Sequence, residues 1–159
     1  MHELISLIRV FISKSICLLG SRYAKKRIDA EFDAGTFRMK ILVVEDDQSV
    51  RETLGMVLEA YDHQPDLVDD GEQALVYLES HWPEVMLLDL SLPGMSGEEV
   101  YAEIRRKFGR VPPTVVVSAV QQGEERVRGL PGALFLPKPY TIDDLAKILE
   151  DAAKARRAA

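Results

Sequence analysis

Four short segments of the chain end in side chains that can handle charge. Glu45, Asp46 and Asp47 follow the apolar run Ile41 to Val44, and Asp89 closes the run Val85 to Leu88. Ser118 follows Thr114 to Val117, and Lys138 lies just past Ala133 to Leu136. A carboxylate at the end of a hydrophobic run is costly unless something pairs with it. If these ends meet, three or four carboxylates gather beside one hydroxyl and one ammonium. Crowded carboxylates repel unless a cation sits among them. The donors are hard oxygens with no His or Cys among them, which points to Mg²⁺. A lysine and a serine beside the metal would hold phosphoryl oxygens, and Asp89 would then be a carboxylate nucleophile.

The elements between these residues must bring them together. Ile41–Val44 is short, apolar and β-branched, as a buried strand requires. Ser49–Tyr61 shows helical spacing, with Ser49 as the expected N-cap and Glu52 completing a capping box. Pro65–Val68 is a weaker strand, Gly71–Ser80 a helix, Val85–Leu88 a strand and Gly97–Lys107 a helix. Thr114–Val117 follows as a strand, then Glu124–Leu130 as a short helix closed by Pro131 and Gly132. Ala133–Leu136 is the last strand and Thr141–Ala155 the last helix, with Thr141 and Asp144 forming its cap. Five strand–helix repeats predict an α/β fold, a doubly wound five-stranded parallel sheet of flavodoxin-like order 2-1-3-4-5. In that order all the strand ends named above lie on one rim, where such folds bind ligands.

Composition narrows the class. The chain has 159 residues, a net charge of −6 and one cysteine, Cys17. That balance gives no general attraction to nucleic acid, and a lone cysteine suits a reducing, cytoplasmic setting. Residues 1–38 hold seven basic and four acidic residues, so they carry +3 of the chain's −6. Two readings of this N-terminal extension stand. One is an amphipathic helix over residues 4–19, suited to a partner or a membrane surface, followed by a linker. The other is a misassigned start, with the native chain beginning at Met39.

The motifs KILVVEDDQSVRETL, VMLLDLSLPGMSGEEV, TVVVSA and LFLPKPY, in this order, resemble the response-regulator receiver domain of two-component phosphorelay signalling. The resemblance spans about Met39 to Ala155, within a receiver domain drawn as residues 39–159. It implies that Asp89 accepts a phosphoryl group, that Asp46 is the main Mg²⁺ carboxylate, and that Glu45 assists through water. The backbone carbonyl of Ser91 becomes a further metal ligand. Ser118 and Lys138 hold phosphoryl oxygens, and Ala119 stays small for access. Phe135 takes the place of the switch aromatic, and the Lys138–Pro139 bond is cis. The implied partner is a histidine kinase or a histidine phosphotransfer protein. The chain stops one helix after Lys138 and shows no helix-turn-helix, so output through protein contacts rather than DNA is expected. The short fourth helix also resembles receivers attached to hybrid kinases, which act as relays. Two other classes are weighed beside it. A phosphorylation-independent interaction module would keep the fold and lose the cage. An Mg²⁺-dependent phosphohydrolase typically needs a second Asp two residues after the nucleophile, where this chain has Ser91.

Overall fold

The computed structural model describes residues 38–158. The expected N-terminal helix and linker lie outside the described residues. Five parallel strands alternate with five helices: β1 (Lys40–Val44), α1 (Gln48–Ala60), β2 (Gln64–Val68), α2 (Gly71–Ser80), β3 (Val85–Asp89), α3 (Gly97–Phe108), β4 (Thr114–Ala119), α4 (Val120–Arg128), β5 (Leu134–Lys138) and α5 (Ile142–Ala158). The sheet order is β2-β1-β3-β4-β5, the expected flavodoxin-like arrangement.

Strand alternation divides the core in two. Leu42, Val44, Met86, Leu88 and Val116 face α2, α3 and α4, meeting Ala74, Leu78, Val100, Ile104 and Val127. Ile41, Val43, Val85, Leu87, Val115 and Val117 face α1 and α5, meeting Leu54, Leu58, Leu145 and Leu149. Both faces of the central strands are thus buried, which is why their sequences read as continuous apolar runs. β2 is an edge strand, exposed at Asp66 and Leu67, and its sequence pattern is correspondingly weaker.

Two elements differ from the sequence expectation. The cap of α1 is Asp47, whose carboxylate accepts the Val50 amide at 2.9 Å. Ser49 lies inside the helix, and Glu52 instead accepts a hydrogen bond from Gln48. Asp47 wins because its backbone is already extended on leaving the strand, and Asp is as good a cap as Ser. The second difference is α4, which begins at Val120 rather than Glu124 and ends at Arg128, capped by Gly129. Its N-cap, Ala119, makes no side-chain hydrogen bond, so the usual start signal is missing. The expected cap of α5 is present: the Thr141 hydroxyl accepts the Asp144 amide at 3.1 Å, and the Thr141 amide donates to the Asp144 carboxylate at 2.9 Å.

Candidate functional site at the carboxyl edge of the sheet

β1 and β3 are neighbours, with Val44 opposite Leu88, so the residues after each strand emerge side by side. Carboxylate oxygens of Glu45, Asp46 and Asp89 lie within 4.8 Å of one another. Glu45 and Asp89 are buried, at 4% and 6% exposure, while Asp46 is exposed. β5 delivers the cation: Lys138 Nζ donates to Asp89 Oδ2 at 2.6 Å and to Glu45 Oε2 at 3.0 Å. The Lys138–Pro139 peptide is cis.

The electrostatics follow from burial. Burial pushes the Glu45 carboxyl above its usual range; Lys138 opposes the shift and the Asp89 charge adds to it. Burial alone would lower the Lys138 ammonium, but its bonds to Asp89 and Glu45 outweigh that and hold it above its ordinary value. Lys138 therefore stays charged at neutral pH.

The rest of the expected set occupies the same rim. Ser118 and Ala119 end β4, opposite Pro137 and Lys138. Ser118 is one residue beyond Val117, the partner of Asp89; it is buried, and Ala119 is exposed. Ser91 donates its amide to Asp89 Oδ1 at 2.8 Å. Phe135 is half-buried against the core below α2, α3 and α4. A Cβ on Gly123 of α4 would lie 2.5 Å from Cε2 of its ring and closer still to Cζ, so a side chain there would displace it. Of the three acids after β1, Asp47 does not join the cluster; it caps α1.

The loop from Leu90 to Ser96 is pinned at both ends. Gly97 donates its amide to the Leu90 carbonyl at 3.2 Å. A Cβ on Gly97 would lie 2.8 Å from Leu90 Cα and closer still to the Asp89 carbonyl oxygen. Ser96 and Glu99 form a reciprocal capping box that starts α3.

Two arginines support the site from outside and were not singled out from sequence. Arg51 donates to the carbonyls of Glu45 and Asp46 at 2.6 and 3.0 Å, fixing the acidic turn. Its place five residues after Asp46, one helical turn into α1, is the signal that could have found it. Arg126 of α4 pairs with Glu98 and reaches the Leu90 carbonyl. No local pattern links residues so far apart in sequence.

A cavity of about 860 Å³ lies at the opposite edge of the sheet, lined by Lys40, His63, Gln64, Tyr77, His81 and Trp82 among others. Among the described residues, the carboxylate cluster that could hold a metal ion is Glu45, Asp46 and Asp89.

The 2-1-3-4-5 sheet thus carries two buried acids and a lysine together at its carboxyl edge. Residues 41–150 match the family of response regulator receiver domains, and the chain belongs to that family. It is 37% identical over 109 residues to the response regulator MprA of Mycobacterium avium, covering 67% of this chain and 47% of that protein. It is likewise 37% identical to the phosphate regulon transcriptional regulatory protein PhoB of Escherichia coli, covering 67% and 48%. The chain thus spans about half the length of these curated relatives. Among solved structures, it resembles the receiver domain of a Pseudomonas aeruginosa sensor histidine kinase with a magnesium ion in its active site cleft. That match has a TM-score of 0.67 and 28% identity, and covers 74% of this chain and 98% of the other. Among the described residues, no helix is long and apolar enough to cross a membrane.

Proposed function

We propose that this receiver accepts a phosphoryl group on Asp89 from the phosphohistidine of a histidine kinase or a histidine phosphotransfer protein, and signals in the cytoplasm through altered protein contacts. The observation that carries the reading is the cluster of Glu45, Asp46 and Asp89 carboxylates, two of which, Glu45 and Asp89, share one ammonium, Lys138. The donor set fits Mg²⁺: it is all oxygen, two members are buried acids, and among the described residues no His or Cys joins the cluster. Glu45, Asp46, Asp89 and the Ser91 carbonyl would hold the ion. When bound, Mg²⁺ neutralises the charge of carboxylates and phosphoryl oxygens brought together.

The chain's residues account for the remaining steps. An Asp89 carboxylate oxygen attacks phosphorus; an O–P bond forms as the P–N bond to the donor imidazole breaks, and the imidazole takes a proton from solvent. The buried position of Asp89 and the Ser91 amide fix the attacking carboxylate. Lys138 shifts from the carboxylate pair to a phosphoryl oxygen, and the Ser118 hydroxyl donates to another. Ala119 leaves that side open. Movement of Ser118 lets the Phe135 ring turn inward, so the charge at the rim selects between two states of the surface.

Incubation with a small acyl phosphate and Mg²⁺ tests the reading. The intact mass should rise by one phosphoryl group, and chelation of Mg²⁺ should prevent it. No uptake would favour a phosphorylation-independent interaction module. Continuous release of phosphate from many esters would favour a phosphohydrolase.

A further inference from the structure

α4 has little local support. Its N-cap makes no side-chain hydrogen bond. Gly123 sits within it because the Phe135 ring leaves no room for a Cβ, and glycine is a poor helix former. Val127 is the apolar side chain it sends into the core among those described. Against this stands Arg126. Its Nε and Nη2 donate to the two carboxylate oxygens of Glu98 in the first turn of α3, the Nη2–Oε2 bond being 2.6 Å. Nη2 also donates to the Leu90 carbonyl at 3.3 Å. That carbonyl directly follows Asp89 and is the same one that accepts the Gly97 amide. One guanidinium thus joins α4, the start of α3 and the loop behind the carboxylate cluster. A planar fork with two parallel bonds holds geometry in a way that a single ammonium cannot. The Glu98 bond keeps Arg126 firmly charged, and the Asp89 charge adds to that.

We propose that Arg126 is a positioning residue that straps α4 to the loop behind Asp89, and that phosphoryl charge at Asp89 loosens the strap by drawing the guanidinium away from Glu98. The strap stands on geometry alone; its loosening rests on the phospho-acceptor reading. Phosphorylation exchanges the single negative charge of the Asp89 carboxylate for the one to two of a phosphoryl group beside the loop that Arg126 already touches, a net gain of up to about one, so it competes with Glu98 for the same donors.

Hydrogen exchange read by mass spectrometry on the full chain tests both parts. In the unphosphorylated protein, Arg126→Ala and Glu98→Gln should each speed exchange of the α4 amides by about 3- to 10-fold, the scale of local opening on losing a strong ion pair. The sheet amides should not change. The double variant should exchange no faster than the single ones, and the charge swap Arg126→Glu with Glu98→Arg should recover part of the protection. Phosphorylation should speed α4 exchange in the wild type and add nothing in Arg126→Ala. Unchanged α4 exchange in both single variants, or additive effects in the double variant, would overturn the strap. Phosphorylated wild type with unaltered α4 exchange would overturn the loosening. Should Arg126→Ala not fold, Glu98→Gln, a near-isosteric change at a partly exposed position, decides alone. Failure to take up phosphoryl at all would count against the proposed function and against the loosening, and leave the strap to the exchange of the variants.

Discussion

Gly97→Ala sets two physical effects against each other. Alanine is the better helix former, and Gly97 is the first residue of α3, so propensity alone predicts a gain of at most about 1 kcal/mol. Packing predicts the opposite. The new Cβ would lie 2.8 Å from Leu90 Cα, whereas unstrained carbon pairs sit at about 3.5–4.0 Å. The shortfall is about 1 Å, and the two nearest groups, Leu90 Cα and the Asp89 carbonyl oxygen, are backbone in a buried segment, so no side chain can swing aside to relieve it. Overpacking of this kind costs about 1–3 kcal/mol. We expect a net loss of about 1 kcal/mol, seen as a fall of about 0.5 M in the urea midpoint by far-UV circular dichroism. The strain bears on the Asp89 carbonyl, so phosphoryl uptake should slow on the order of 10²-fold if the carboxylate moves by as much as 1 Å. Gly94→Ala is the control. A Cβ there meets nothing within 4 Å, but the backbone has φ 75°, so it should cost about 1–2 kcal/mol and leave uptake nearly intact. A Gly97→Ala protein that is as stable as wild type and takes up phosphoryl at the same rate would refute the reasoning.

Four further substitutions probe the charges. Lys138→Met strands two buried carboxylates and should cost about 2 kcal/mol at neutral pH; Mg²⁺ should raise its melting temperature more than that of wild type, because no ammonium competes for the site. Glu45→Gln tests the raised carboxyl. A raised folded-state value means the protonated form suits the fold, so this stabilising contribution is complete below the ordinary Glu range and lost as pH rises through the raised value. The stability advantage of Glu45→Gln over wild type should therefore grow between about pH 4 and neutral pH in paired urea titrations; a flat or reversed difference would contradict it. Adjacent acids should behave differently: Asp47→Ala should lose about 1 kcal/mol of stability with phosphoryl uptake retained, whereas Asp46→Asn should keep stability and lose Mg²⁺-dependent uptake.

Asp47 also shows where the sequence stops being informative. The order of elements was legible because both faces of the central strands are buried, which leaves unbroken apolar runs such as VMLL. The candidate site was legible because strand order brings the acidic ends of β1 and β3 and the basic end of β5 to one rim. Side-chain roles within the acidic triplet were not, since Glu45, Asp46 and Asp47 differ by the local turn, and only backbone direction separates a cluster member from a cap. The start of α4 was missed because nothing caps it; its position is set by β4 and by the Phe135 ring on Gly123, both tertiary effects. Gly97 reads from the sequence as the start of a helix, but its close approach to the Asp89 backbone depends on how the loop folds back. The Arg126 contact to Glu98 joins residues 28 apart and leaves no local pattern.

The most direct measurement locates the phosphoryl group. After reaction with an acyl phosphate and Mg²⁺, borohydride reduction would convert an aspartyl phosphate to homoserine, which peptide mass mapping can find. The account predicts homoserine at position 89 and none in the Asp89→Asn protein. Modification at another residue, or labelling that persists in Asp89→Asn, would contradict it.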